Sequence, residues 1–252
     1  MSDFDRYIGV RYSGRKGPAE RVQRLKVFEA MGEEPPYAVA NDQDEDGRWS
    51  RRELAEWLLG RLGDRESPTV VGLDHAFSFP RGYMEQHGLR SWKGFLDHFQ
   101  TTFPTHEISV RELIPGNPRT HDPDEHRLTA DWTASPRSLF NFDLQDSPAK
   151  SAFAGLPWLP YLRRAGEHVH VWPFDGWEVP PGAAVVAEVR PARLRHRYPQ
   201  EGLAEEEHSA YAIAAWLQDR DRLGLLRPYF SPPLSPEERE RAALEGWILG
   251  VA

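Results

Sequence analysis

The stretch YIGVRYSGR, residues 7–15, has the pattern of a buried strand that ends in a small-residue turn. Its aromatic and β-branched residues favour a strand, and Ser13 and Gly14 favour the turn after it. The side chain presented at the end of this strand is that of Arg11. Functional groups of α/β sheets gather at the carboxyl ends of the strands, and a carboxylate that holds a metal is often among them. An arginine at this position is therefore informative about function.

Outward from this stretch, strand and helix patterns alternate along the chain. Apolar runs predict strands over residues 7–12, 24–30, 69–74, 168–174 and 183–189. Helical spacing predicts helices over residues 49–63, 91–103 and 204–224, a short helix from residue 157, and a last helix from residue 235. These elements predict the α/β class, with a mixed sheet and helices on both faces.

Length and composition narrow the classes of protein. The 252 residues contain no internal repeat and no linker, which predicts a single domain over residues 1–252 with an irregular insert around 115–150. There is no run of eighteen apolar residues, no signal-peptide pattern and no cysteine, which predicts a cytoplasmic protein without a membrane partner. The net charge of −8 does not indicate a nucleic-acid-binding protein as a whole. It does not exclude a local basic groove.

Several carboxylates stand where strands end or helices begin. Asp74 follows the strand VVGL, Glu188 lies near the end of VVAEV, and Glu206 and His208 are in the first turn of a helix. Carboxylate oxygens suit Mg²⁺ or Mn²⁺, and two such ions can drive phosphodiester cleavage. The structural alternatives are a turn cap at Asp74, dipole compensation at the helix start, and a buried arginine partner for Glu188.

Six segments carry a family resemblance, namely YIGVRYSG, VVGLDHAFSFP, HVWPFDGW, VVAEVRPA, HSAYAIAAWL and EGWILGV. They resemble a bacterial family of uncharacterised proteins regarded as predicted nucleases with an RNase H fold. The resemblance covers most of the chain. It implies a five-stranded mixed sheet whose first three strands form an antiparallel meander, flanked by helices. It also implies metal-dependent nuclease activity, as an inference from fold.

Two positions depart from the family pattern. The family has DYSG where this chain has RYSG, and HDAYA where this chain has HSAYA, so Arg11 and Ser209 replace carboxylates. Asp74, Glu188 and His208 match the pattern. A guanidinium cannot ligate a cation, and at 4 Å with an effective dielectric of 20 it repels a unit positive charge by about 4 kcal/mol. We therefore expect a weakened or lost two-metal site, with Arg11 paired to Asp74 or Glu188.

Two functions remain open after this comparison. In an active nuclease, Asp74 and Glu188 would hold the ion, Glu206 would assist, and His208 would handle a proton or a phosphate. The alternative is a non-catalytic descendant that binds nucleic acid or a protein and uses Arg11 as an anion contact. Four residues are candidates for contacting the substrate. Ser13 lies in the turn after the first strand, Lys150 matches the family, and Arg190 and Arg193 belong to the basic run after Glu188. A solvated basic edge paired with the acidic helix start is the alternative for that run.

A separate acidic segment matches the calcium-loop pattern D-x-D-x-D-G-x5-E. Its candidate ligands are Asp42, Asp44, Asp46 and Glu53. A helix follows the segment, but the preceding GEEPPYAVA cannot form the usual incoming helix. Glu53 also has a competing use in a capping box with Ser50, so a solvated acidic loop is the alternative to Ca²⁺.

Overall fold

The computed structural model describes residues 2–115, 122, 125–133, 137–143 and 148–252. The strands there are β1 (Arg6–Arg11), β2 (Lys26–Met31), β3 (Tyr37–Ala38), β4 (Thr69–Leu73), β5 (Val169–Trp172) and β6 (Ala184–Glu188). The α-helices are α1 (Arg51–Gly63), α2 (Arg81–Gln86), α3 (Trp92–Thr102), α4 (Val110–Leu113), α5 (Leu128–Asp131), α6 (Pro148–Gly155), α7 (Leu159–Leu162), α8 (Glu205–Arg222), α9 (Leu226–Tyr229) and α10 (Pro236–Glu245). Short 3₁₀ helices lie at Leu156–Trp158, Arg163–Ala165, Pro191–Arg193 and Arg195–Arg197.

The strands form one mixed sheet in the order β3-β2-β1-β4-β6-β5. β1, β2 and β3 form an antiparallel meander, whereas β4, β6 and β5 continue parallel to β1. The predicted α/β class is confirmed, but the expected count of five strands is wrong, because the described residues form six. The strand that the sequence pattern missed is β3, which has only two residues, both exposed, and so shows no apolar alternation.

Helices cover both faces of the sheet, as predicted. Ile8 and Leu73 belong to the core that includes the apolar residues of α1 and α3, and this side is called the α1 face. Tyr7 and Val70, which lie an odd number of residues from Ile8 and Leu73 in their strands, belong to the second core with Ile213 of α8, and this side is called the α8 face. Alternation along each strand therefore assigns every strand residue to one face or the other.

Two glycines let α8 approach the sheet closely. A Cβ atom on Gly9 would lie 2.2 Å from the carbonyl oxygen of Ala210, and one on Gly72 would lie 2.5 Å from Cγ2 of Ile213. Neither position leaves room for a side chain. The amino end of α8 is thereby fixed above the ends of β1 and β4.

The predicted irregular insert around residues 115–150 lies partly outside the described residues. Its described part contains the single-turn helix α5 and the start of α6, and Phe140 and Phe142 are buried in the core of the α1 face. In the described part of the chain, no helix combines the length and apolar character needed to cross a membrane.

Candidate functional site

The carboxyl ends of β1, β4 and β6 lie side by side, and this region is called the carboxyl edge. Val10 of β1 is paired in register with Leu73 of β4, so the next residues, Arg11 and Asp74, are neighbours. Arg11 Nη1 donates a hydrogen bond to Asp74 Oδ2 over 2.7 Å and another to the carbonyl oxygen of Tyr12 over 2.8 Å. The expected pairing of Arg11 with one of the two carboxylates is confirmed.

Asp74 is held at the carboxyl edge in an environment that favours its neutral form. Its side chain is 19% exposed. Burial raises the pKa of Asp74 to about 6, and the nearby Glu188 carboxylate acts in the same direction, against the opposing charges of Arg11 and Arg190. A carboxyl with this pKa changes its charge close to neutral pH.

Glu188 belongs to the other face of the sheet. It is paired in register with Leu73, which places it on the α1 face, whereas Asp74 follows Leu73 and lies beside Arg11 on the α8 face. Arg127 Nη1 donates to Glu188 Oε2 over 2.8 Å, and Nη2 donates to Oε1 in a second, shorter contact. The backbone amide of Phe77 also donates to Oε2, over 3.1 Å. Both oxygens of this buried carboxylate are therefore engaged.

These contacts bear on the metal site that the resemblance implies. Asp74 and Glu188 lie at positions of opposite strand parity, and each has a guanidinium as its partner. Among the described residues, no group of three or more His, Asp or Glu side chains is placed to hold a metal ion. A two-metal centre here would require Glu188 to leave Arg127 and Asp74 to leave Arg11, so metal binding at this edge stays a prediction.

The acidic start of α8 is paired with basic side chains of other segments. Glu205 lies 2.6 Å from Arg195, Glu206 lies 3.0 Å from Arg24, and Glu207 lies 2.9 Å from Lys26, measured between nitrogen and oxygen. The expected alternative, a basic run partly paired with this helix start, is present at Arg195. Glu206, which was expected to assist at a metal site, is thus paired with Arg24.

His208 and Ser209 are buried within the first turns of α8. His208 Nε2 is 2.9 Å from the carbonyl oxygen of Tyr198. The hydroxyl of Ser209 donates to the carbonyl oxygen of Glu205, one turn earlier, over 2.8 Å. Ser209 therefore satisfies its hydroxyl within its own helix, at the position where the family has a carboxylate.

Three of the candidate anion contacts form no direct ion pair in the described part of the chain. Arg190 lies just beyond β6, close enough to Asp74 and Glu188 to feel both charges, and burial lowers its pKa. Over the described residues, no hydrogen bond or ion pair engages the side chains of Arg190, Arg193 or Lys150. All three are partly exposed. They are the cations that the carboxyl edge leaves available to a ligand.

Ser13 and Lys150 are brought together by the turn after β1. A Cβ atom on Gly14 would lie 2.0 Å from the carbonyl oxygen of Lys150, so the turn and the first residues of α6 are in backbone contact. The buried Arg51 donates to the carbonyl oxygens of Ser13, over 3.3 Å, and of Arg15, over 2.8 Å. The Arg51 side chain thereby holds the turn through hydrogen bonds to backbone carbonyl oxygens.

Sequence reasoning missed two residues of this region, Arg127 and His75. Arg127 lies in the irregular insert, and no periodicity marks it. His75 is buried against Tyr12 and Phe77, with ring centroids 4.6 and 5.1 Å apart, and its Nδ1 lies 3.0 Å from the carbonyl oxygen of Ala76. Burial lowers the pKa of His75 to about 4, so the ring is neutral at pH 7.

In the acidic loop of residues 42–53, most of the candidate calcium ligands are paired with arginines. Asp44 accepts from Arg48 Nε over 2.9 Å and from Arg21 Nη1 over 3.3 Å, and the Arg48 bonds lower its pKa to about 2. Glu53 forms the capping box with Ser50 and accepts from Arg21 Nη2 over 2.7 Å. Asp46 lies 2.9 Å from Arg48, and the Asp42 carboxylate accepts from the Gln43 side chain. Calcium binding here stays a prediction, and it requires both arginines to move away.

The chain matches no protein-family model, no curated protein and no solved structure. The family resemblance therefore stays an expectation drawn from the six sequence segments. The function has to be argued from the carboxyl edge itself.

Proposed function

We propose that this chain is a non-catalytic relative of RNase H-like nucleases that binds nucleic acid through phosphate contacts at its carboxyl edge. The observation that carries the proposal is the pairing of both expected metal-binding carboxylates with guanidinium groups, Asp74 with Arg11 and Glu188 with Arg127. Arg190 lies near enough to Asp74 and Glu188 to interact with both charges, but it forms no direct ion pair in the described part of the chain. The edge thus presents a cation where the family pattern calls for a metal.

The topology supports the RNase H-like part of the proposal. The resemblance implies a mixed sheet whose first three strands form an antiparallel meander, and β1, β2 and β3 form such a meander within a mixed sheet. The additional strand β5 extends the sheet at its outer edge, beyond β6. An added edge strand leaves the ends of β1 and β4, and hence the Arg11–Asp74 pair, in place.

The basic run after β6 supports phosphate as the ligand group. Arg190, Arg193, Arg195 and Arg197 lie within eight residues, and only Arg195 is in an ion pair among the described residues. Contacts between arginine and phosphate supply affinity that does not depend on the base sequence. They also release counter-ions from the nucleic acid, so binding becomes weaker as the salt concentration rises. The chain's net charge of −8 limits the attraction to this local patch.

The test is a fluorescence anisotropy titration with labelled single-stranded and duplex DNA and RNA. We expect saturable binding by the native chain and a roughly tenfold weaker affinity in Arg190→Ala, which is the loss of about 1.4 kcal/mol. Arg222→Ala is the matched control, because Arg222 is an exposed arginine at the opposite end of α8. Equal affinity of the two variants would contradict the proposal.

One observation favours residual hydrolysis as a second candidate function. The Arg11 side chain is 32% exposed, so it has room to leave Asp74 and free that carboxylate for an ion. A nuclease assay with Mg²⁺ and Mn²⁺ on the native chain, Asp74→Ala, and the double variant Arg11→Asp with Ser209→Asp tests this candidate. Cleavage by the native chain that Asp74→Ala abolishes would establish it. Cleavage by the double variant alone would identify a nuclease scaffold that has lost its metal ligands.

A further inference from the structure

A second concave region lies away from the carboxyl edge, between α1, α3 and α7. It is a cleft of about 470 Å³. This volume is within the range of small-molecule sites in proteins, which is roughly 300–1,000 Å³. None of Arg11, Asp74, Glu188 and Arg190 lines it. The cleft is therefore separate from the ion pairs of the carboxyl edge.

The wall of the cleft carries aromatic rings beside unbalanced positive charge. Trp158 and Tyr161 supply the rings, and their centroids are 6.1 Å apart in an edge-to-face arrangement. The Arg164 guanidinium lies 5.1 Å from the centre of the Tyr161 ring, in a cation–π contact. Among the described residues, no carboxylate forms an ion pair with Arg164 or with Arg52, which also lines the cleft. Glu56 is the one acidic side chain among the described residues that line the cleft, so the wall favours an anion.

Two residues that line the cleft each have a buried polar atom without a partner. Trp158 is 9% exposed, and its Nε1 is buried with no hydrogen-bond acceptor. Nδ1 of His106, another lining residue, is likewise buried without a partner. Behind Trp158 lies a void of only about 10 Å³, which is at the lower limit for one water. Trp158 lines both the cleft and this void.

From these features we propose that the cleft binds a small planar ring that carries an anionic group. The ring packs against Trp158 and Tyr161, and the anionic group lies between Arg52 and Arg164. A carboxylate and a phosphate both satisfy this chemistry, since arginine forms paired hydrogen bonds with either. The proposal is independent of nucleic-acid binding at the carboxyl edge.

The experiment is an isothermal titration of the full chain with 2-naphthoate and with 1-naphthyl phosphate. Inorganic phosphate and 2-naphthol, which carry the anion or the ring alone, are the comparison ligands. We expect saturable binding of at least one of the two ring anions, at least tenfold tighter than either comparison ligand. The preferred ring anion then identifies the source of the negative group.

The site is located by variants and by the tryptophan signals. Arg164→Ala and Tyr161→Ala are expected to weaken binding of the preferred ring anion roughly tenfold. Arg163→Ala is the matched control, because this neighbouring exposed arginine is paired with Asp175, 2.6 Å away. In a ¹⁵N–¹H spectrum, the indole signal that Trp158→Phe removes is expected to shift on saturation. No saturable binding of either ring anion, or binding that Arg164→Ala and Tyr161→Ala leave unchanged, would overturn the proposal.

Discussion

Arg11 and Asp74, at the ends of adjacent parallel strands, form an ion pair with a nitrogen–oxygen distance of 2.7 Å. A fixed guanidinium thus stands beside the carboxylate that the family pattern assigns to a metal. Glu188 has the same kind of partner in Arg127, on the opposite face of the sheet. In both cases the positive charge next to the carboxylate is an arginine side chain of the protein.

Loss of Arg11 is expected to change the titration of Asp74. The Arg11 charge opposes the effect of burial, so Arg11→Met should raise the pKa of Asp74 above its value of about 6. The measurement is an NMR titration of the Asp74 carboxyl carbon in the native chain and the variant. An unchanged or lower pKa would mean that the ion pair does not persist in solution.

Breaking the Arg127–Glu188 pair is expected to destabilise the fold strongly. Arg127→Met leaves a buried carboxylate without its cation, which costs about 3–5 kcal/mol in the free energy of unfolding. Adding Glu188→Gln removes the unpaired charge and should recover part of this loss. Urea denaturation of the two single variants and the double variant measures the effect. If the double variant is no more stable than Arg127→Met, the charge pairing is not the cause.

The neighbours Asp74 and His75 are expected to give the stability opposite dependences on pH. The pKa of His75 is about 4 in the fold, below its usual 6.5, so its contribution is complete above pH 6.5 and is lost as pH falls toward 4. The pKa of Asp74 is raised from 3.8 to about 6, so its contribution is present below pH 3.8 and is lost as pH rises through 6. Each effect is on the order of 3 kcal/mol, and between pH 4 and 6 they offset each other.

Variants separate these two contributions. Relative to the native chain, Asp74→Asn should become more stable as pH rises from 4 to 6, because only the His75 dependence remains. His75→Phe should show the reverse trend relative to the native chain. Thermal or urea unfolding at several pH values measures both differences. Parallel pH profiles for the native chain and both variants would show that neither group titrates as its burial indicates.

The close approach of α8 to β1 is expected to exclude any side chain at Gly9. Gly9→Ala would bring Cβ to 2.2 Å from a backbone oxygen, and overpacking of this kind costs about 1–3 kcal/mol or more. Gly60→Ala is the matched control, because a Cβ on this exposed helical glycine meets no atom within 4 Å. It should instead stabilise the fold by about 1 kcal/mol. Similar unfolding midpoints for the two variants would contradict the close packing.

The sequence predicted that Arg11 pairs with Asp74 or Glu188, because all three lie near the ends of strand patterns, and the pairing of Val10 with Leu73 selects Asp74. The Glu188–Arg127 pair could not be predicted in the same way. Strand patterns show that Glu188 is near a strand end, but its face depends on the register with Leu73, which only the assembled sheet defines. Arg127 comes from an insert without periodicity, 61 residues away in the chain. Long-range partners of this kind leave no local signal.

The most direct test of the account is the salt dependence of binding to a labelled single-stranded oligonucleotide, compared between the native chain and Arg190→Ala. If Arg190 contacts a phosphate, the slope of log K against log salt should be about 0.7 less steep in the variant, with Arg222→Ala matching the native chain. The same slope in all three proteins, or no binding by the native chain, would contradict a phosphate-binding carboxyl edge.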